Sequence, residues 1–363
     1  MPLNAIDAIP DQTLDEMADA VRPQGAEVEA WRNEAIEAIA QLCEPQKDLK
    51  PSLTFFLVSA GISYAVLGFY FHDWILAAGV MAILYIHESG HYLAMKAFGY
   101  RNIQMFYIPF FGAAVSGRKD NATQVERALI NLAGPAPSTL VAAVFLYLGW
   151  HFMLPDLPRN VYFLAYWTLV LNAPQLLPFE PLDGGHFFNA VFFSRYPKLE
   201  TACKIVSAAV FLIVGIQWSL VLVGLGALAL YTLRDRHRMS LLGGRLRESG
   251  LNTEATLDEM PLDRLIRAYA LSRDLVPDSQ AESMQRRVAL RVGLLQRAYP
   301  SALAKPASLL AVLPLLLVYV LVVGASVAAW SSRPAAQPNA VPMQEATESN
   351  DAKQPTIKII ENP

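Results

Sequence analysis

Apolar positions in this chain gather into long unbroken runs rather than the one-face stripes of a soluble helical protein. A helix needs about 20 mostly apolar residues to cross a hydrocarbon core about 30 Å thick. Residues 53–71 meet that length without a charge, and 74–98 meet it while carrying His87, Glu88 and His91. Residues 129–154, interrupted by Gly134-Pro135, and residues 161–179 and 309–330 also qualify. Residues 205–233 are charge-free, too long for an untilted span and too short for two ordinary ones, which predicts a tight hairpin turning near 215–218. Residues 105–117 are apolar but short, aromatic and punctuated by glycine, as in a hairpin or re-entrant loop.

The flanks follow a different pattern. In residues 1–52, Val28, Trp31, Ala35, Ile39 and Leu42 recur at helical spacing, predicting one amphipathic helix packed on the rest of the protein. Residues 234–305 predict helices over 253–271 and 279–299, with Ser279 as an N-cap and the arginines as a solvated face near anionic lipid. From 331 onward, Pro, Ala, Gln, Asn and Glu predict a disordered tail. The expected architecture is an all-α polytopic membrane protein of about six or seven transmembrane helices with a short re-entrant or hairpin loop. It divides into a soluble acidic region (1–52), a transmembrane core (53–233), a cytosolic helical region (234–305), a final span (306–330) and the tail (331–363).

Charge sharpens this division. Only 17 of the 181 residues from 53 to 233 are Asp, Glu, Lys or Arg, whereas the other 182 residues hold 44, an ordinary soluble density. A single soluble globule is excluded. A net charge of −3 with no basic aromatic-rich tract gives no reason to expect a nucleic-acid partner, and the lipid bilayer is the expected surrounding. Cys43 and Cys203 form no CxxC motif or disulfide framework. The acidic start has no basic, then apolar, leader pattern, so no cleaved signal peptide is expected. Lys and Arg collect in cytoplasmic loops. Lys47 and Lys50 precede the first run, only Asp73 separates the first two, and Arg234, Arg236 and Arg238 follow the 205–233 stretch. This predicts a cytosolic N-terminus, a cytosolic 234–305 region and a tail outside.

The chemistry sits in the second run. His87-Glu88-Ser89-Gly90-His91 is an HExxH motif. Residues four apart share a helix face, so both imidazoles can bind one metal, with Glu88 as general base on a water bound to it. Ionisable groups inside a membrane helix are costly, which favours a functional reading. Catalytic zinc sites usually have three protein ligands. Asp183, in Pro181-Leu182-Asp183-Gly184-Gly185 at the end of the fourth run, is the candidate third, its glycines letting the chain turn sharply. Glu180 is its rival, and His186 reads as an interfacial hydrogen-bonded histidine.

The HESGH sequence, the later LDGG, the aromatic 106–112 loop and Ala133-Gly134-Pro135 together resemble the site-2 protease family of intramembrane zinc metalloproteases over residues 74–192. The resemblance implies one Zn2+ per chain held by His87, His91 and Asp183, with Glu88 as the catalytic residue and a transmembrane protein as substrate. It also implies a bacterial inner-membrane location. The family usually has Asn eight residues before the ligand Asp, where this chain has Gln175 with Asn172 one turn earlier; these two and Gly112 are the candidate substrate contacts. A helical substrate must unwind, and residues 105–117 could offer it a strand edge. The competing readings are a catalytically silent relative that acts as a binding partner and a zinc transporter.

Overall fold

The structure, a computed structural model, describes residues 26–43, 52–109, 112–119, 121–152, 159–193, 196–218, 220–254, 256–257, 259–280, 283–304 and 307–331. The expected disordered tail falls almost wholly outside these residues, as do Phe110 and Phe111 of the aromatic loop.

After the amphipathic helix α1 (Ala26–Cys43), the first two apolar runs form α2 (Leu53–Phe71) and α3 (Trp74–Ala97). Asp73, the one charge between them, is the N-cap of α3, its carboxylate accepting from the Ile75 and Leu76 amides. Residues 101–118 form an antiparallel hairpin of β1 (Arg101–Ile108) and β2 (Gly112–Arg118), with Met105 opposite Val115. Its first strand is fixed on α2, where the Tyr107 amide donates to Ser59 Oγ at 3.1 Å.

The run expected over 129–154 is two helices. α4 (Gln124–Ala133) opens on a Thr123–Glu126 capping box and breaks at Gly134, and α5 (Pro135–Phe152) restarts at a proline suited to a helix start. α6 (Arg159–Asn172) has 14 residues, about 21 Å, and gives way to a 3-10 turn at Pro174–Leu176. α7 (Asp183–Val191) follows.

The 205–233 stretch divides between α8 (Pro197–Trp218) and α9 (Leu220–Glu248). A Cβ on Gly215 would lie 2.5 Å from the Val223 amide nitrogen, and one on Gly226 would lie 2.8 Å from Leu212. The two helices therefore run antiparallel in close contact. Both extend well past the charge-free window. On α8, Glu200 and Lys204 pair across one turn and Lys204 is buried, so charged residues belong to the helix the apolar count had excluded.

Among the described residues, four helical segments are long and apolar enough to cross a membrane: Leu53–Phe71, Gln124–Leu148, Lys198–Gln217 and Leu310–Ser331. The last coincides with α12 (Leu309–Ser331). Large apolar side chains on these and neighbouring helices stand bare, with Leu220 87% and Leu310 85% exposed, a surface that requires lipid or protein against it. α3 has the length, 24 residues, but His87, Glu88 and His91 lower its apolarity.

A second core lies away from these helices. Trp31, Ile39 and Leu42 of α1 pack with Leu242 and Leu246 of α9 and with α10 (Leu262–Arg273) and α11 (Met284–Leu303). The N-terminal helix thus shares one core with the region after residue 233. Two expectations here are corrected. The helix expected over 253–271 starts only at 262, because Pro261 fixes its first turn; α11 is capped by Ser283, whose Oγ accepts from the Arg286 amide, while Ser279 sits in a 3-10 turn. Arg291 is no part of a solvated face. It is fully buried, ion-paired to Glu34 of α1 and to Asp278 at 2.5 Å, and its Nε donates to the Val276 carbonyl. Burial favours the neutral Asp278 acid, but the Arg291 bond and charge prevail and hold that carboxyl below its ordinary range.

Candidate metal centre

His87, Glu88 and His91 are buried on the inner face of α3 and offer ligand atoms within 4.8 Å of one another. The two ring Nε2 atoms lie 3.1 Å apart. Asp183 brings its Oδ2 to 3.0 Å from His87 Nε2 and 3.4 Å from His91 Nε2. It occupies the first turn of α7, where a helix dipole favours a carboxylate.

The outer nitrogens settle which tautomers face inward. His91 Nδ1 is 2.8 Å from the Ile130 carbonyl, which can only accept, so Nδ1 carries the proton. His87 Nδ1 is 2.5 Å from Asn172 Oδ1, and the Asn172 Nδ2 is spent donating to the Thr168 carbonyl at 2.8 Å. Neutral imidazoles so oriented present Nε2 lone pairs to each other and to a carboxylate oxygen. Three acceptors facing inward at this range repel unless a cation lies among them. Two imidazoles and a carboxylate are a donor set used by catalytic zinc, and second partners on the far nitrogens are usual at such sites. The residues fit a zinc ion.

Close backbone approach makes the convergence possible. A Cβ on Gly90 would sit 2.0 Å from the Ala133 carbonyl oxygen, and one on Gly134 would sit 2.3 Å from His91 Nε2. The break between α4 and α5 is therefore the place where α3 presses against backbone. The glycines after Asp183 act the same way. Their Cβ positions would fall 2.2 Å from the Leu176 carbonyl oxygen and 2.3 Å from the Glu180 amide nitrogen, and both lie in the ordinary helical region of α7. They serve contact and not the sharp turn expected of them.

Glu180 points elsewhere. It accepts from Asn189 Nδ2 at 2.6 Å and lies 3.5 Å from an Arg236 guanidinium nitrogen. His186 lines a separate polar cavity. Asn172, expected at the substrate, is instead buried with both ends of its carboxamide engaged by the protein. Gln175 is half-buried in the 3-10 turn, and Gly112 opens β2 with φ of 107°. The helix of Glu88 packs against β2, with the Val115 backbone close to the acid. Two contributors escaped the sequence reading: the Ile130 carbonyl, which no side-chain pattern reports, and Tyr319 of α12. Tyr319 donates to the Leu176 carbonyl and stacks on Phe187 at 5.2 Å. Its one trace is a phenol inside an otherwise aliphatic run.

Comparison with known proteins agrees with this geometry. Residues 75–160 match the model of peptidase family M50. Zinc metalloprotease MJ0392 of Methanocaldococcus jannaschii is 28% identical over 120 residues, 32% of this chain and 34% of that protein. A Mycobacterium tuberculosis protein named "Putative zinc metalloprotease Rip3" is 29% identical over 131 residues, 34% and 33% of the two chains. The chain thus spans about a third of the length of the curated relatives it matches. The matched segment holds both histidines and Glu88 but ends before Asn172 and Asp183, whose part in the centre rests on geometry alone. Over residues 75–160, the HExxH-bearing segment of this chain is similar to peptidase family M50.

Proposed function

We propose that this protein is an intramembrane zinc metalloprotease that hydrolyses a peptide bond within or near the transmembrane segment of a membrane-protein substrate. The observation that carries the reading is the convergence of the His87 and His91 Nε2 atoms with Asp183 Oδ2, with Glu88 alongside, in a helix flanked by bare apolar surfaces. His87, His91 and Asp183 would hold one zinc ion, which when bound supplies a Lewis acid for the scissile carbonyl and for the acidity of water. Glu88 takes the proton of the attacking water and delivers it to the leaving amine nitrogen. Asn172 and the Ile130 carbonyl hold the imidazoles in the tautomer that leaves Nε2 free.

The outer edge of β2 gives the substrate a place. A transmembrane substrate has its carbonyls tied in helical hydrogen bonds and must unwind before attack. An extended segment laid along β2 recovers those bonds from the strand and lies beside Glu88. Gly112 opens that strand, and Gly112 and Gln175 are our candidate contacts for the substrate backbone. Run length gives six or seven spans, charge places the N-terminus and residues 234–305 in the cytosol, and the family resemblance points to a bacterial inner membrane.

The experiment is a comparison of membrane proteomes from cells carrying the wild-type chain or Glu88→Gln. Specific membrane proteins should accumulate at full length in the variant. Identical profiles would support the silent relative instead.

A further inference from the structure

We propose that the cavity between the membrane core and the α1–α10–α11 unit is a binding site for a phosphate-bearing anion. This cavity, of about 570 Å3, has the size of a small-molecule site. Its lining carries seven Lys and Arg against one acid, Glu200. Glu126 and Glu180 reach Lys119 and Arg236 from outside the lining, and the excess of positive charge survives them. The decisive groups are Arg127, Arg247 and Arg297. Their hydrogen bonds go to the Pro300, Ser301 and Gly293 carbonyls, and none makes an ion pair among the described residues. Glu126 is the acid that acts on Arg127, and the carbonyls that these three guanidiniums bond neutralise none of their charge. An anion does, and the planar fork of Arg suits phosphate oxygens.

The place of the cavity gives it a consequence. Arg127 and Ile130 lie on α4, and the Ile130 carbonyl holds His91. Arg297 belongs to α11 of the helical unit, and Arg247 to the end of α9 that packs into its core. An anion bound here bridges that unit to the helix that orients a metal-site histidine. A lipid headgroup at the edge of the membrane core and a soluble compound are the two sources of such a phosphate, and they are separable.

The full chain is placed in nanodiscs of phosphatidylcholine with or without phosphatidylglycerol, and retained lipid is read by native mass spectrometry. In pure phosphatidylcholine, Tm is followed with inorganic phosphate against chloride at equal ionic strength. Each measurement compares wild type, Arg247→Gln/Arg297→Gln, and the charge-matched control Arg245→Gln/Arg273→Gln outside the lining. A headgroup site shows selective phosphatidylglycerol retention, and a soluble-phosphate site shows a phosphate-specific rise in Tm. Either signal should fall at least tenfold in the cavity variant and persist in the control. Should the double variant not fold, Arg297→Gln alone is read the same way, with at least a threefold loss, since that exposed side chain bonds only its own helix. Absence of both signals in wild type, or equal losses in cavity and control variants, overturns the proposal.

Discussion

Asp183 Oδ2 stands 3.0 Å from His87 Nε2, although 96 positions separate the two residues in the chain. That contact joins the first turn of α7 to the middle of α3 and places a carboxylate beside the two histidines. Glu180, three residues earlier, faces Asn189 and Arg236 instead. We expect the wild-type protein to bind about one zinc per chain, Asp183→Asn to lose most of it and Glu180→Gln to keep it. Metal analysis of the purified variants decides between the two carboxylates, and the reverse order would move the third ligand.

Asn172 acts through His87. Its Oδ1 selects the tautomer and fixes the ring plane, and loss of such a partner typically weakens metal binding or activity about 10–100-fold. Asn172→Ala should therefore raise the zinc dissociation constant by a factor in that range, measured by chelator competition. A substrate-contact role would leave zinc affinity unchanged and raise KM alone.

Gly134→Ala tests the backbone contact behind the centre. The added Cβ would meet His91 Nε2 at 2.3 Å, so the imidazole must leave its place and zinc occupancy should fall severely. Gly79→Ala, on the same helix as His91 but with nothing within 4 Å of its Cβ, should retain full zinc. Equal occupancy in both variants would mean that the α3–α4 approach is looser than described.

The ends of the 53–71, 74–98 and 309–330 runs were legible from run length, the shared face of His87 and His91 from i to i+4 spacing, and Asp183, which lies against that face, as an acid beside glycines. The hairpin at 205–233 was legible from charge on both sides. The helix lengths there were not, since Glu200 and Lys204 neutralise each other and so extend α8 past the apolar window. The role of Asn172 was missed because composition shows a carboxamide but not which atom it faces. The break at Gly134 was visible as Gly-Pro, yet its cause lay in a histidine 43 positions away. Arg291 was misread for the same reason, as its partner Glu34 lies 257 residues distant.

That buried pair carries its own expectation. Arg291→Ala leaves buried Glu34 with the longer Arg287 contact at 3.9 Å and the Tyr269 hydroxyl, and removing one partner of a buried pair costs up to about 3–5 kcal/mol. Arg245→Ala breaks a half-exposed pair with Asp274 and should cost no more than about 1 kcal/mol. Denaturant melts of the two variants, followed by the fluorescence of Trp31 in the α1–α10–α11 core, compare them directly. A cost for Arg291→Ala near that of Arg245→Ala would contradict the buried pairing.

The central claim is that Glu88 moves protons and does not hold the metal. Purified wild type and Glu88→Gln, reconstituted in liposomes with a transmembrane substrate found uncleaved in the variant cells, test it in one assay of zinc content and cleavage. The carboxamide keeps the shape of Glu88 but cannot accept a proton, so the account predicts near-normal zinc with cleavage reduced by at least a hundredfold. Undiminished cleavage by Glu88→Gln would contradict it.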